Sequence, residues 1–313
     1  MLRSLIQLLI MLSLVLGASP AALATGFSFA TIDVPGASRT AASGINDSGQ
    51  VVGIFWDTPF NNAVRHGFLK DGASFTQIDV PGHCCSTNLL DINNAGQMVG
   101  FFEDSSRAMG FVKDGAGFTL FDFYAFGIND AGQIVGASGG HGFFNDGVNT
   151  TQIDVPGAGF TQAFGINNAG QIVGVFGNTF GISLHGFLKD GTNFIQIDVP
   201  GAIRTEAFGI NDAGQIVGDY FSSTVNPSER RGFIYDGATF TTFDIPGNEV
   251  TEALDINDAG QIAGFFEFRA DDSPNASGAR GSGFIAASVP EPGLLLFLAF
   301  GLVALFGFVK RPI

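Results

Sequence analysis

The ten-residue phrase Gly-Ile-Asn-Asp-Ala-Gly-Gln-Ile-Val-Gly stands unchanged at 127–136 and 209–218, with near-copies starting at Gly44, Asp91, Gly165 and Asp255. Its first Asn falls at 46, 93, 129, 167, 211 and 257, so the copies lie about 42 residues apart. No other feature constrains the fold as much. A unit of that length cannot bury its own apolar surface and must stack on its copies.

Other phrases recur between the copies. His-Gly-Phe-Leu-Lys-Asp-Gly stands at 66–72 and 185–191, with variants at 110–115, 141–147 and 232–237. An Ile-Asp-Val-Pro-Gly phrase follows at 78–82, 153–157 and 197–201, and as Phe-Asp-Ile-Pro-Gly at 243–247. Each repeat reads as four short strands. In the fourth repeat they run over about 161–167, 171–176, 185–190 and 194–199. Asn suits the first position of a type I turn and Gly the left-handed position after it, giving a bulged hairpin between strands one and two. Asp-Gly marks the hairpin between strands three and four. No segment between Thr25 and Ser288 has a helical period.

Six four-stranded meanders predict an all-β, six-bladed β-propeller. Small Ala and Gly on strand one suit the crowded inner position, and Phe on strands three and four suits the space between blades. The Asp of the Ile-Asp-Val-Pro-Gly phrase is expected to be a structural hydrogen-bonding group, since it recurs from blade to blade. The ends of the body support closure. Phe27–Gly36 is a fourth-strand phrase with no blade before it, and the sixth repeat has no fourth strand after it. Pairing the two closes the ring and covers the exposed edge.

Both chain ends read as addresses. Arg3, the apolar Leu5–Leu16 and the Ala22-Leu23-Ala24 site form a secretory signal over 1–24, expected to be cut after Ala24. At the other end, Gly293–Val309 is an uncharged apolar stretch followed by Lys310 and Arg311. It predicts a short membrane helix with its basic end in the cytoplasm. The three segments are then 1–24, the propeller at 25–288 and the tail at 289–313.

The tail resembles the PEP-CTERM sorting signal of bacterial surface proteins: Pro290-Glu291-Pro292, an apolar helix and the basic stub Lys310-Arg311 come in that family's order. The resemblance implies handling by an exosortase-like membrane enzyme after the secretion machinery, with removal of the helix. It also implies a cell that exports polysaccharide. The body resembles the extracellular HAF repeats, with an Ile-Asn-x-x-Gly-x-Val-Val-Gly phrase followed by a His-Gly-Phe form of the second motif. That family implies secretion and repetition and no particular activity. The expected location is outside the inner membrane: anchored through the C-terminal helix first, then at the cell surface or in the extracellular matrix.

Charge narrows the partners. Setting aside Arg3, Glu291, Lys310 and Arg311 from the 14 basic and 29 acidic residues leaves 11 and 28 in the body, a net −17. Such a surface repels nucleic acid and attracts cations. Calcium fits the acidity best, yet each turn offers one carboxylate at most where Ca²⁺ takes ~6–8 oxygens. No metal site and no cofactor are therefore expected. The adjacent Cys84 and Cys85 can close only a strained ring. Free thiols, a link to another chain, or a metal site with His83 stay open.

Catalytic signals are weak. Gly136-Ala137-Ser138-Gly139-Gly140 fits a G-x-S-x-G pattern, but it lies inside a meander rather than at a strand-to-helix turn, in a chain with 45 Gly. His66, His141 and His185 occupy equivalent repeat positions and read as structural. Strand one is uniform and uncharged apart from Asp91, Glu206, Glu252 and Asp255. Departures from the repeat gather around the links between strands two and three: Trp56, Asp57, Glu103, Asp104, Asp219, Tyr220, Glu267 and Arg269. These are expected on loops of one face, where binding residues usually lie. The sequence therefore predicts an exported propeller with a binding or structural role, extracellular polysaccharide being one candidate ligand. The alternative is an extracellular carbohydrate-active hydrolase or lyase.

Overall fold

The computed structural model describes residues 24–57, 64–82, 86–103, 108–115, 117–178, 184–222, 229–248, 250–268 and 280–290. They contain 24 β-strands. Phe29–Ala287 form one compact unit, and the remaining described residues fall in a second. Among the described residues no helix is long and apolar enough to cross a membrane, and Gly293–Val309 lies outside them.

The chain begins with β1 (Ala24–Ile32). Blade one holds β2 (Arg39–Ile45), β3 (Val51–Trp56), β4 (Arg65–Asp71) and β5 (Ser74–Ile78). Blade two holds β6 (Ser86–Ile92), β7 (Met98–Glu103), β8 (Ala108–Asp114) and β9 (Gly117–Phe121). Blade three holds β10 (Tyr124–Ile128), β11 (Ile134–Ser138), β12 (His141–Asn145) and β13 (Thr150–Ile153). Blade four holds β14 (Phe160–Ile166), β15 (Ile172–Gly177), β16 (Leu184–Asp190) and β17 (Asn193–Ile197). Blade five holds β18 (Arg204–Ile210), β19 (Ile216–Phe221), β20 (Arg230–Tyr235) and β21 (Phe240–Phe243). Blade six holds β22 (Val250–Ile256), β23 (Ile262–Phe268) and β24 (Arg280–Pro290). The fourth strand of blade six is β1, which pairs with β24. The ring is thus closed by the N-terminal strand, as its orphan sequence phrase predicts.

Every first hairpin has the same irregularity. Strand one carries a bulge two residues before the recurrent Ile, as at Phe164 between Ala163 and Gly165. The turn that follows is the expected one: in blade four the Gly170 N–H donates to the Asn167 carbonyl at 3.0 Å, and Gly170 has φ +77°. The crossovers repeat as well. Thr161 accepts from the Val155 N–H at 3.0 Å, and Thr40, Thr87, Thr205 and Thr251 do the same for Val34, Val80, Val199 and Ile245. A β-branched Thr fits a strand, and its hydroxyl here satisfies a backbone donor that the turn would otherwise bury unpaired.

The core lies between blades. One cluster joins Val52, Ile78 and Val80 of blade one to Leu89, Ile92, Met98, Phe102 and Phe111 of blade two. The strand-three Phe of five blades, Phe68, Phe111, Phe187, Phe233 and Phe284, is fully buried. In blade three the corresponding Phe143 is only half-buried, and Phe123 stacks on it with centroids 5.6 Å apart. Burying each such ring stabilises the stack by about 1.5–3 kcal/mol.

Candidate functional site

The turn end of the axis is built from the repeated Asn. The Asn46 side-chain amide donates to the Asn93 carbonyl at 3.2 Å, and Asn93 donates to Asn129 in turn. The series continues through Asn167, Asn211 and Asn257, which donates to Asn46 at 3.1 Å. The next residue of each turn forms a second closed ring: the Asp47 N–H donates to Asn94 Oδ1, Asn94 to Asp130, Asp130 to Asn168, Asn168 to Asp212, Asp212 to Asp258 and Asp258 to Asp47. Two side-chain amides neutralise this ring in part. Asn94 bridges Asp47 and Asp130, and Asn168 bridges Asp130 and Asp212. Partial burial works against the Asp130 carboxylate, but hydrogen bonds from the Asn94 N–H and from the Asn168 and Asn94 amides hold its pKa below the usual value. Asp258 has carboxylates on both sides, and burial together with Asp212 and Asp47 pushes it up.

A cavity of about 70 Å³ opens on this axis, lined by the turn residues and by Asp91 and Asp255. These two carboxylates stand directly after the bulge, where the other four blades have Gly. Asp91 accepts from the Ile92 N–H at 2.7 Å and from the blade-three Ile128 N–H at 2.8 Å. Asp255 accepts from the blade-one Ile45 N–H at 2.8 Å. Burial raises Asp91 to about 6 against those hydrogen bonds. Burial and the Asp91 charge raise Asp255 well above the carboxylate range. A carboxyl whose pKa is raised by folding adds stability at low pH that is lost as pH rises through the folded value. Urea unfolding should therefore show stability falling as pH rises from about 4 to about 6, and Asp91→Gly, the residue of four other blades, should remove that step. A step of unchanged size in the variant would rule out Asp91 as its source.

The most irregular chemistry lies between blades five and six. Glu206 and Asp219 are direct cross-strand partners, so their side chains share one sheet face. Arg204 pairs with Glu206 at 2.6 Å. Arg230 pairs with Glu252 of β22 and lies 3.5 Å from Asp219. Arg204 and Arg230 both stack on Phe221, at 4.7 and 4.8 Å. Asp219 is 0% exposed and its Oδ1 has no hydrogen-bond partner. Burial, then the charge of Glu206, drive its pKa well up. Burial also raises Glu252, against the pull of Arg230. At the Asp219 position the other blades carry Ile54, Phe101, Ala137, Val175 and Phe265, all apolar.

The structure corrects part of the loop assignment. Asp219 and Tyr220 sit inside β19, at 0% and 8% exposure, rather than on a loop. The reason is length: β19 runs to Phe221 before the chain leaves the blade. Trp56 and Glu103 are the last residues of β3 and β7, and Glu267 lies within β23. Arg39 stacks on Trp56 at 5.0 Å and on Phe265 at 5.2 Å, and it pairs with Glu267. Arg65 pairs with Glu103 at 2.6 Å. Asp57 is exposed just beyond β3. Asp104, Arg269, His83, Cys84, Cys85, Ala22, Glu291, Pro292, Lys310 and Arg311 lie outside the described residues. Ala24 opens β1 and Pro290 closes β24.

Ser138 ends β11 directly opposite His141 in a hairpin, with no strand-to-helix elbow. The three His are held alike: His66, His141 and His185 each place Nδ1 2.9 Å from Asp79, Asp154 and Asp198. This gives the recurrent Asp the structural hydrogen-bonding role that its repetition predicts. Among the described residues no group of three or more His, Cys, Asp or Glu is arranged to hold a metal ion.

No protein-family model matches the chain, and no curated protein does either. Similar solved structures are β-propellers and others of low identity. A virginiamycin B lyase from Staphylococcus aureus matches at 10% identity and TM-score 0.48, over 84% of this chain and 100% of that one. The Aleuria aurantia lectin, solved with a fucosylated GlcNAc, matches at 14% identity and TM-score 0.44, over 83% and 98% or nearly so. The β-propeller domain of the trilobed protease from Pyrococcus furiosus matches at 10% identity and TM-score 0.45, over 82% and 86%.

Proposed function

We propose that the chain is an exported cell-surface or matrix propeller that binds a hydroxyl-rich polymer, an extracellular polysaccharide, on the face opposite the Asn turns. One observation carries the reading. The side chains that break the repeat are concentrated at the ends of strands two on that face, as partly exposed Arg–carboxylate pairs beside aromatic rings: Arg39 with Glu267 and Trp56, and Arg65 with Glu103. Aromatic faces with fixed charged donors and acceptors suit sugar rings and hydroxyls. Catalysis is the weaker reading. Asp219, whose carboxyl burial drives well above its ordinary value, has no exposed surface, and a general acid must come within about 3 Å of the group it protonates.

Export belongs to the same proposal. Cleavage after Ala24 leaves Thr25–Ile32 of β1 in place to close the ring. Exosortase-like processing near Pro290-Glu291-Pro292 then falls at the end of β24 and spares the blade. Mass spectrometry of the mature protein from its own cell tests this: a C-terminus near Pro292 supports processing, and an intact Ile313 supports a permanent anchor. A glycan array and a hydrolysis screen on the purified body, residues 25–289, test the binding. Retention without product, weakened about tenfold by Trp56→Ala (about 1.4 kcal/mol), is the expected result. Release of product would move the assignment to a hydrolase or lyase.

A further inference from the structure

The cluster between blades five and six has an uneven charge count. Arg204 and Arg230 can neutralise two carboxylates, and Glu206 and Glu252 already supply two. Asp219 is the third. It sits at a position filled by an apolar side chain in every other blade, without solvent contact, and with one oxygen unpaired. The two cations that face it are already engaged, Arg230 by Glu252 and Arg204 by Glu206. A buried charge without a partner is strongly unfavourable. A proton on Asp219 leaves two ion pairs and no surplus charge.

We infer that the seam between blades five and six is a proton-controlled latch: it holds the closing blade tightly while Asp219 is protonated, and ionisation of Asp219 loosens this seam before any other.

The groups that face Asp219 are Arg204 and Glu206 on β18, Arg230 on β20 and Glu252 on β22. Beyond Glu252 stands Glu267 of β23, paired to Arg39 of β2. Arg231, with Glu229 and Asp244, belongs to the other face of the blade-five sheet, because Arg231 is the register partner of Tyr220. Three of the four facing groups lie in blade five and one in blade six, so the surplus charge acts across the seam. The sheets of these two blades also join by a single parallel pairing, Arg230 with Val250. A second raised carboxyl, Asp255, sits on the same strand as Glu252 and packs toward Gly209 of blade five. Burial and the neighbouring Glu206 raise the Asp219 pKa, so its contribution is present at low pH and lost as pH rises. The device needs no ligand and stands apart from the polysaccharide reading.

Hydrogen exchange on the full chain tests it, at about pH 5.5 and about pH 8.5, with rates corrected for intrinsic exchange. Amides of β19, β20 and β22 should lose about tenfold in protection at the higher pH relative to β11, β14 and β15, which flank the apolar seam of Val135, Ile153, Ala163 and Ile172. Asp219→Val, the blade-four residue, should abolish the difference. Asp219→Asn keeps the shape without the charge and should do the same if the valine variant does not fold. Equal protection of the two seams at both pH values overturns the latch, and so does a difference that survives both substitutions.

Discussion

Removal of Phe27–Val34 is expected to cost the protein its folded, monomeric state at moderate temperature. The segment supplies the outer strand of blade six. Ile32 is buried at the seam with blade one, packed with Ala42, Ile45 and Phe68. Phe29 meets Phe284 edge-on at 5.8 Å. The Val34 N–H donates to Thr40. The deletion removes buried Ile32 and the part-buried Phe27, Phe29 and Val34; at about 1.5–3 kcal/mol for each fully buried side chain, the loss corresponds to a fall in melting temperature of roughly 10 °C or more for a domain this large. Truncation also bares the β24 edge, an open template for another chain. Thermal melting with light scattering reads both effects, and the synthetic segment added in trans should recover part of the loss. A truncated chain that melts like the parent and stays monomeric would show that the axial hydrogen bonds close the ring unaided.

Gly174→Ala is expected to destabilise by more than ~3 kcal/mol, the range of severe core overpacking. A Cβ there would stand 2.0 Å from the Gln162 carbonyl oxygen and 2.8 Å from the Phe187 ring. The obstacle is backbone, so no rotamer relieves it. That carbonyl belongs to strand one, one residue before Ala163, the register partner of the glycine. The five equivalents Gly53, Gly100, Gly136, Gly218 and Gly264 meet their strand-one carbonyls at 1.8–2.2 Å. Gly170→Ala gives the contrast: its Cβ would meet nothing, and only the left-handed backbone at φ +77° is strained, about 1–2 kcal/mol. Urea titration of both variants separates close approach from backbone preference. Equal losses would mean the β14–β15 pair yields where it is expected to be rigid.

These two glycines show how legible the fold is in the sequence. The left-handed Gly170 follows from turn chemistry, and the period and the orphan strand phrase lead to the closed ring. The need for Gly174 does not follow, because no local pattern reports a carbonyl that stands this close across the hairpin. The Asn of the repeat was legible only as a turn residue. Its bond to the next blade depends on six turns converging, which spacing alone does not show. The charged site was half legible. Asp91, Glu206, Glu252 and Asp255 stand out as the exceptions on strand one, yet burial decides their behaviour. Asp219 reads as solvated loop because it is an acidic residue beside a variable link, whereas the strand continues two residues past it.

The axial bonds all run the same way round. Each turn gives an amide proton to the blade after it and a carbonyl to the blade before it. A single repeat therefore carries one half of two fasteners, and any two copies placed side by side complete one. A chain lengthened by copying a repeat would inherit a working joint at each new boundary with no further change of sequence. Only the blade assembled from both ends of the chain must be matched as a pair, which makes it the point where such growth is constrained.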